Sequence, residues 1–194
     1  MTSREKILNA VKDSQPDLLP LPDLSLFYPN NDSVEENLKN FISIAERIGA
    51  KVYQVQNHSE IMTHLKEDLD LEGKRIVSAE LDAIVDEYTG TDNHDLADVE
   101  LMILPVHFGV AENGACWLDD ELYQERLLPF IPQHLAFIIK KENIVATMHQ
   151  AYELIADKSY GFGAFIAGPS KTADIEQSLV LGAHGPRSLR VFVV

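Results

Sequence analysis

The feature that most constrains this chain is its alternation of short apolar runs with segments of helical period. Leu38, Phe41, Ile42, Ala45 and Ile48 recur three and four residues apart, which puts them on one face of a helix. Ser33 and Glu36 have the spacing of a capping box before it, and Gly49 stands where a helix C-terminal cap belongs. A strand is expected at 51–55 and a second helix at 58–69, with Ile61, Met62, Leu65 and Leu69 inward. Further strands are expected at 75–78, 101–104, 115–118, 134–139, 164–167 and 189–194, and helices at 145–155 and 172–181. Strands alternating with helices imply an α/β fold, a mostly parallel sheet with helices on both faces. The last six residues, LRVFVV, are almost unbroken in apolarity, as a buried parallel strand is. Together with the two preceding elements they are expected to close the chain as a βαβ unit.

Residues 3–13 have Ile7, Leu8 and Val11 on one helical face. Pro16, Pro20, Pro22 and Pro29 then fix φ and remove donors, so an extended connector follows. Residues 1–32 are therefore expected to form a helical arm and connector, and 33–194 the α/β domain. Docking of the arm on its own domain and association of two copies are both open. The opening MTSREKILNAVKD mixes charges with apolar residues at helical spacing, unlike a secretory signal. The apolar runs at 101–106 and 135–139 fall far short of the roughly 18 residues that span a bilayer. Cys116 is the one cysteine, which excludes an internal disulfide and fits a reducing cytoplasm. One thiol cannot hold an iron–sulfur cluster, which takes about four thiolates, so any such cluster must sit on a partner.

The formal net charge is −15, and residues 60–125 carry 18 acids against 3 bases. No basic stripe is present to follow a phosphate backbone, so nucleic acid is not an expected partner. The acidic third is a solvated surface or a docking face.

Three segments carry candidate chemistry. Gly168-Pro169-Ser170-Lys171-Thr172-Ala173-Asp174 follows the apolar run AFIA and is expected to open a helix. A helix N-terminus offers free N–H groups and the positive end of a dipole. Ser170 and Thr172 add hydroxyls and Lys171 a charge, so Gly168, Ser170, Lys171, Thr172 and Asp174 are the expected small-anion site. The plain alternative is helix capping by Ser170 or Thr172. The spacing is not that of a Walker loop. In the second segment, Asn113-Gly114 signals a turn facing that site, and Glu112 precedes it as a candidate base or nucleophile. A surface glutamate beside a β-turn is the alternative. In the third, His184 sits in the turn Gly182–Arg187 as a candidate acid–base group or simply a polar turn residue. A metal site has only weak support, and whether a metal binds stays open. His107 with Glu112, and His94 with Asp92, Asp95 and Asp98, are the local clusters that come nearest, and neither has paired metal-ligand spacing. Cys116, beside Trp117 and Leu118, is expected as an apolar filler.

The segments GPSKTADIEQSLVLGAHGPRSLRVFVV, GVAENGACWL and RLLPFIPQHLAFIIK, with the opening SREKILNAV, resemble the LUD-domain family, of the lactate utilisation protein C type. The resemblance implies a fold related to the NagB/RpiA/CoA-transferase superfamily. It also implies a bacterial role beside iron–sulfur partner proteins in oxidising L-lactate to pyruvate, with the clusters on those partners and no cofactor on this chain. Two positions depart from the family pattern. Glu112-Asn113-Gly114-Ala115 stands where Glu-Thr-Gly-Thr is usual, and Lys171 stands where arginine is usual. Glu-Asn-Gly is similar to the nucleophile loop of some CoA transferases, which keeps open a stand-alone transferase or phosphosugar-isomerase enzyme using Glu112. A metabolite-binding regulatory module is also open.

Overall fold

The computed structural model describes residues 1–17, 19–20, 22–28, 33–78, 93–123, 125–172 and 180–194. Helix α1 (Ser3–Asp13) leads, followed by α2 (Val34–Arg47), β1 (Lys51–Gln54), α3 (His58–Asp68) and β2 (Arg75–Ser78). Then come β3 (Val99–Pro105), β4 (Phe108–Val110), β5 (Ala115–Asp119), β6 (His134–Ile139) and β7 (Ile144–Val145). Helix α4 (Met148–Ile155), β8 (Gly163–Ile166) and β9 (Ser188–Val193) complete the order. The expected starts of α2 and α3 hold for local reasons, whereas α4 begins at Met148 and not at 145, because Val145 is taken into β7. Ser33 Oγ accepts the Glu36 N–H, and Asn57 and Thr147 cap α3 and α4 in the same way.

Five strands form a parallel sheet in the order β1-β9-β6-β3-β2. Alternation along the strands assigns its two faces. Leu101, Ile103, Ala136, Ile138 and Phe192 meet Ile61, Met62 and Leu65 of α3. Met102, Leu104, Leu135, Phe137, Ile139, Val191 and Val193 face the other way, onto Phe41 and Ala45 of α2. Helices thus cover both faces, as expected. On the α2 side there is also a second sheet, β7-β4-β5-β8, which contributes Cys116, Leu118 and Ile144 to the same core. Its outer face carries Phe108, Val110 and Trp117 against Ala151 and Ile155 of α4.

Two expectations about the strands change. β4 lies inside what reads as a loop, and it pairs antiparallel with β5. β8 pairs antiparallel with β5 in the second sheet, whereas β9 lies in the parallel sheet, so the last elements are not one βαβ unit. The four residues of β8 are only partly buried and alternate between two cores, with Phe165 outward and Ala164 and Ile166 inward. A parallel central strand would be buried on both faces.

Helix α1 buries no residue and leaves Ile7, Leu8 and Val11 exposed. The connector behind it does dock. Phe27 stacks on His149 with ring centroids 4.4 Å apart, and Tyr28 donates its hydroxyl proton to Glu153 of α4.

Candidate functional site

The two motifs with the most chemistry converge on the last turn of α2. In the β4–β5 turn, Asn113 Oδ1 accepts the Ala115 N–H at 3.0 Å and Gly114 donates its N–H to Val110 O at 2.9 Å. Gly114 has φ +70°, and a Cβ there would stand 2.9 Å from Ala45 Cα and 3.2 Å from Ile48 Cδ1. Glycine is required both by the backbone and by the close approach of α2. Gly168 meets the same turn from the other side, with φ +74° and a built Cβ 2.9 Å from Ile48 O.

The groups expected at the anion site are placed as follows. Lys171 Nζ donates to Ile48 O, the exposed carbonyl at the C-terminal end of α2. A cation there complements the negative end of the helix dipole. The Ser170 N–H is bonded to Pro186 O and the Thr172 N–H to Val180 O. Val180 in turn donates to Thr172 Oγ1, and Lys171 bridges antiparallel to Leu181. Residues 170–172 and 180–182 are therefore paired strand-like, so Thr172, Val180 and Leu181 are extended where a helix is expected from the sequence. The rest of the expected helix, with Asp174, lies outside the described residues. Because the pairing is extended, successive side chains diverge. Lys171 turns to α2, while Ser170 lies against Gly185, whose Cβ would stand 3.3 Å from Ser170 Cβ. That contact sets the exposed His184 turn beside Ser170.

Glu112 is placed elsewhere. Its side chain is exposed, and Oε2 accepts the Met148 N–H at 2.8 Å, at the N-terminus of α4. An anion is favoured there by the helix dipole. Glu112 lines a cleft of about 440 Å³ with Glu36, Asn37, Asn40, Ser43 and Thr147. None of the residues 168–172 lines this cleft. Glu112 and Lys171 thus approach α2 from different sides and do not share one pocket. His107 is brought to Asp119 and not to Glu112.

A polar network at the N-terminal ends of β1, β6 and β9 has no local signature in the sequence. Asp68, at the end of α3, accepts from Lys51 Nζ at 2.7 Å, Tyr53 Oη at 2.7 Å and Arg190 Nε at 2.8 Å. Burial works to raise its carboxyl, but these three donors outweigh that and hold it at about 2. Arg190 also donates to Ser188 Oγ, which bonds His134 Nδ1 at 2.6 Å. Burial, then the charges of Arg187 and Arg190, depress the His134 imidazole below its ordinary value. Cys116 is fully buried, and burial pushes its thiol up to about 12, as suits an apolar filler.

A five-stranded parallel sheet with helices on both faces, backed by a small mixed sheet, defines an α/β protein. The LUD domain family model matches residues 72–194, and the chain belongs to that family. It is similar to Lactate utilization protein C of Anoxybacillus flavithermus, 38% identical over 86 residues, covering 44% of this chain and 39% of that protein. It is also similar to Lactate utilization protein C of Oceanobacillus iheyensis, 32% identical over 118 residues, covering 57% and 51%. Uncharacterized protein YkgG of Escherichia coli is 30% identical over 115 residues, covering 55% and 50%. The matches span from 35% to 51% of the lengths of these and similar curated relatives. A crystal structure of a DUF162 family protein from Deinococcus radiodurans shares the fold, with a TM-score of 0.63 at 21% identity over 84% of this chain and 98% of that one. Among the described residues, no helix is long and apolar enough to cross a membrane.

Proposed function

We propose that this chain is a lactate utilisation protein of the protein C type. It would act as the non-cluster member of an assembly that oxidises L-lactate to pyruvate, and it would bind a small anionic metabolite. The observation that carries this is the similarity of the LUD region to relatives named Lactate utilization protein C. Lactate oxidation removes two electrons, which need a carrier. These 194 residues hold one cysteine, fully buried, where a cluster takes about four thiolates. The clusters therefore belong on partner proteins. An anion would meet the surface formed by Ser170, Lys171 and the His184 turn. Lys171 spends one of its three N–H donors on Ile48 O, and Ser170 Oγ bonds no described residue.

The test is recovery of the tagged protein from its native host grown on L-lactate. Cysteine-rich iron–sulfur proteins are expected with it, and recovery of this chain alone would overturn the subunit role. A second role, a stand-alone transferase or isomerase, is favoured by the exposure of Glu112 on a hydroxyl- and amide-lined cleft. Turnover of CoA esters or phosphosugars by the purified chain, abolished in Glu112→Gln, would establish it instead.

A further inference from the structure

We propose that His107, Asp119 and Glu121 form a divalent-cation site at the end of the β4–β5 hairpin. The antiparallel register pairs Phe108 with Trp117, which brings the start of β4 beside the end of β5. His107 is anchored by its own N–H to Trp117 O and by Asn143 Nδ2 donating to its carbonyl. His107 Nε2 and Asp119 Oδ1 are 2.8 Å apart. That is close to the separation of adjacent ligands around a metal with bonds of about 2.1 Å. One ligand atom from each of the three residues lies within 4.8 Å of the others. Bringing all three onto one ion needs the exposed Glu121 carboxylate to swing in by about 1–2 Å.

The chemistry of the donors selects the ion. One imidazole nitrogen with two carboxylate oxygens suits zinc, manganese or ferrous iron, whereas magnesium and calcium favour oxygen alone. The outer shell is already built. Trp117 Nε1 donates to Asp119 Oδ2 at 3.3 Å, and the Glu121 N–H donates to Oδ1 at 3.1 Å, which fixes the carboxylate that would bind first. Asp119 is only 1% exposed, an unusual place for a carboxylate whose one ion-pairing partner among the described residues is a histidine.

A second, independent observation points the same way. Tyr123 is 8% exposed, and its hydroxyl has no hydrogen-bond partner. It stands two residues beyond Glu121 in the chain. A buried orphan hydroxyl is rare in folded proteins and asks for a water or ligand beside it. A metal-bound water would supply the missing partner. On the open side, Glu121 lines a cleft of about 520 Å³ with Asp120, Lys158, Ser159, Tyr160 and Gly161, which gives an ion and its waters a way in.

Trp117 is the one tryptophan, so its fluorescence reports directly on Asp119. The chain, stripped with chelator, is titrated with Co²⁺ and followed by visible d–d absorption and Trp117 emission. One equivalent is expected to bind, to quench Trp117, and to be displaced by Zn²⁺. Outer-shell changes alone cost metal sites about 10–100-fold in affinity, so Glu121→Gln is expected to lose at least about tenfold. Among the described residues the Glu121 side chain makes no hydrogen bond or ion pair, and His107→Gln serves as the second variant. An absence of binding at millimolar Co²⁺ overturns the site. So does binding that leaves Trp117 emission unchanged, or binding that Glu121→Gln and His107→Gln do not weaken, because His107 and Asp119 then form only a structural pair.

Discussion

Asp68→Ala tests how the N-terminal β1–α3 unit is joined to the LUD region. Lys51 and Tyr53 lie on β1, Asp68 closes α3, and Arg190 lies on β9, so one carboxylate ties three elements together. The side chains of Asp68 and Arg190 are 14% and 5% exposed. Removing the anion leaves a buried guanidinium without its counter-charge, which costs about 3–5 kcal/mol. For a chain of this size each kcal/mol lowers Tm by about 2–4 °C, so a fall of roughly 6–20 °C is expected. The pH dependence follows from the same carboxyl. Its folded value of about 2 lies below the ordinary 3.8, so its contribution is fully present above 3.8 and is lost as pH falls through 2. That contribution is about 2 kcal/mol at neutral pH and roughly half of it at pH 3. Urea unfolding of the native chain and the variant at pH 7 and pH 3 measures both quantities. Arg190→Met in the Asp68→Ala background should recover much of the loss. A variant within about 1 kcal/mol of the native chain at pH 7, or a gap that fails to narrow at pH 3, refutes the argument.

Two further outcomes test the candidate site. Lys171→Ala removes the cation at the C-terminus of α2 and is expected to lower stability by about 0.3–1 kcal/mol. The same change is expected to weaken binding of lactate, pyruvate or phosphate by about 1–3 kcal/mol in calorimetric titration, and unchanged affinity would leave Lys171 as a helix cap alone. Gly114→Ala forces a side chain into φ +70° with its Cβ 2.9 Å from Ala45 Cα. A loss of about 2–4 kcal/mol is expected, and an unchanged melting curve would mean that α2 yields freely to the turn.

Local signals carried much of the secondary structure. Ser33 and Gly49 bound α2 because capping and positive φ are settled within a few residues. The run LRVFVV is a buried parallel strand because only a strand covered on both faces is apolar throughout. Asn113-Gly114 makes the expected turn for the same local reason. A run as short as GAFI carries no information about its partner, and only packing decided that it joins β5 and not β9. Phe108-Gly109-Val110 reads as loop because glycine depresses strand propensity, yet its cross-strand partners on β5 make it β4. Asp119 stands in an acidic stretch that reads as surface, and burial beside His107 depends on the hairpin register.

The sequence by itself therefore determined the class, helices α1, α2 and α3 with their ends, the last strand and the family, since each rests on contacts or patterns within a short span. Tertiary structure alone decided that Lys171 reaches Ile48, that Glu112 caps α4, and that His107 meets Asp119. Those pairs lie 123, 36 and 12 residues apart, and their side chains meet only where sheet register and helix packing bring the distant backbones together.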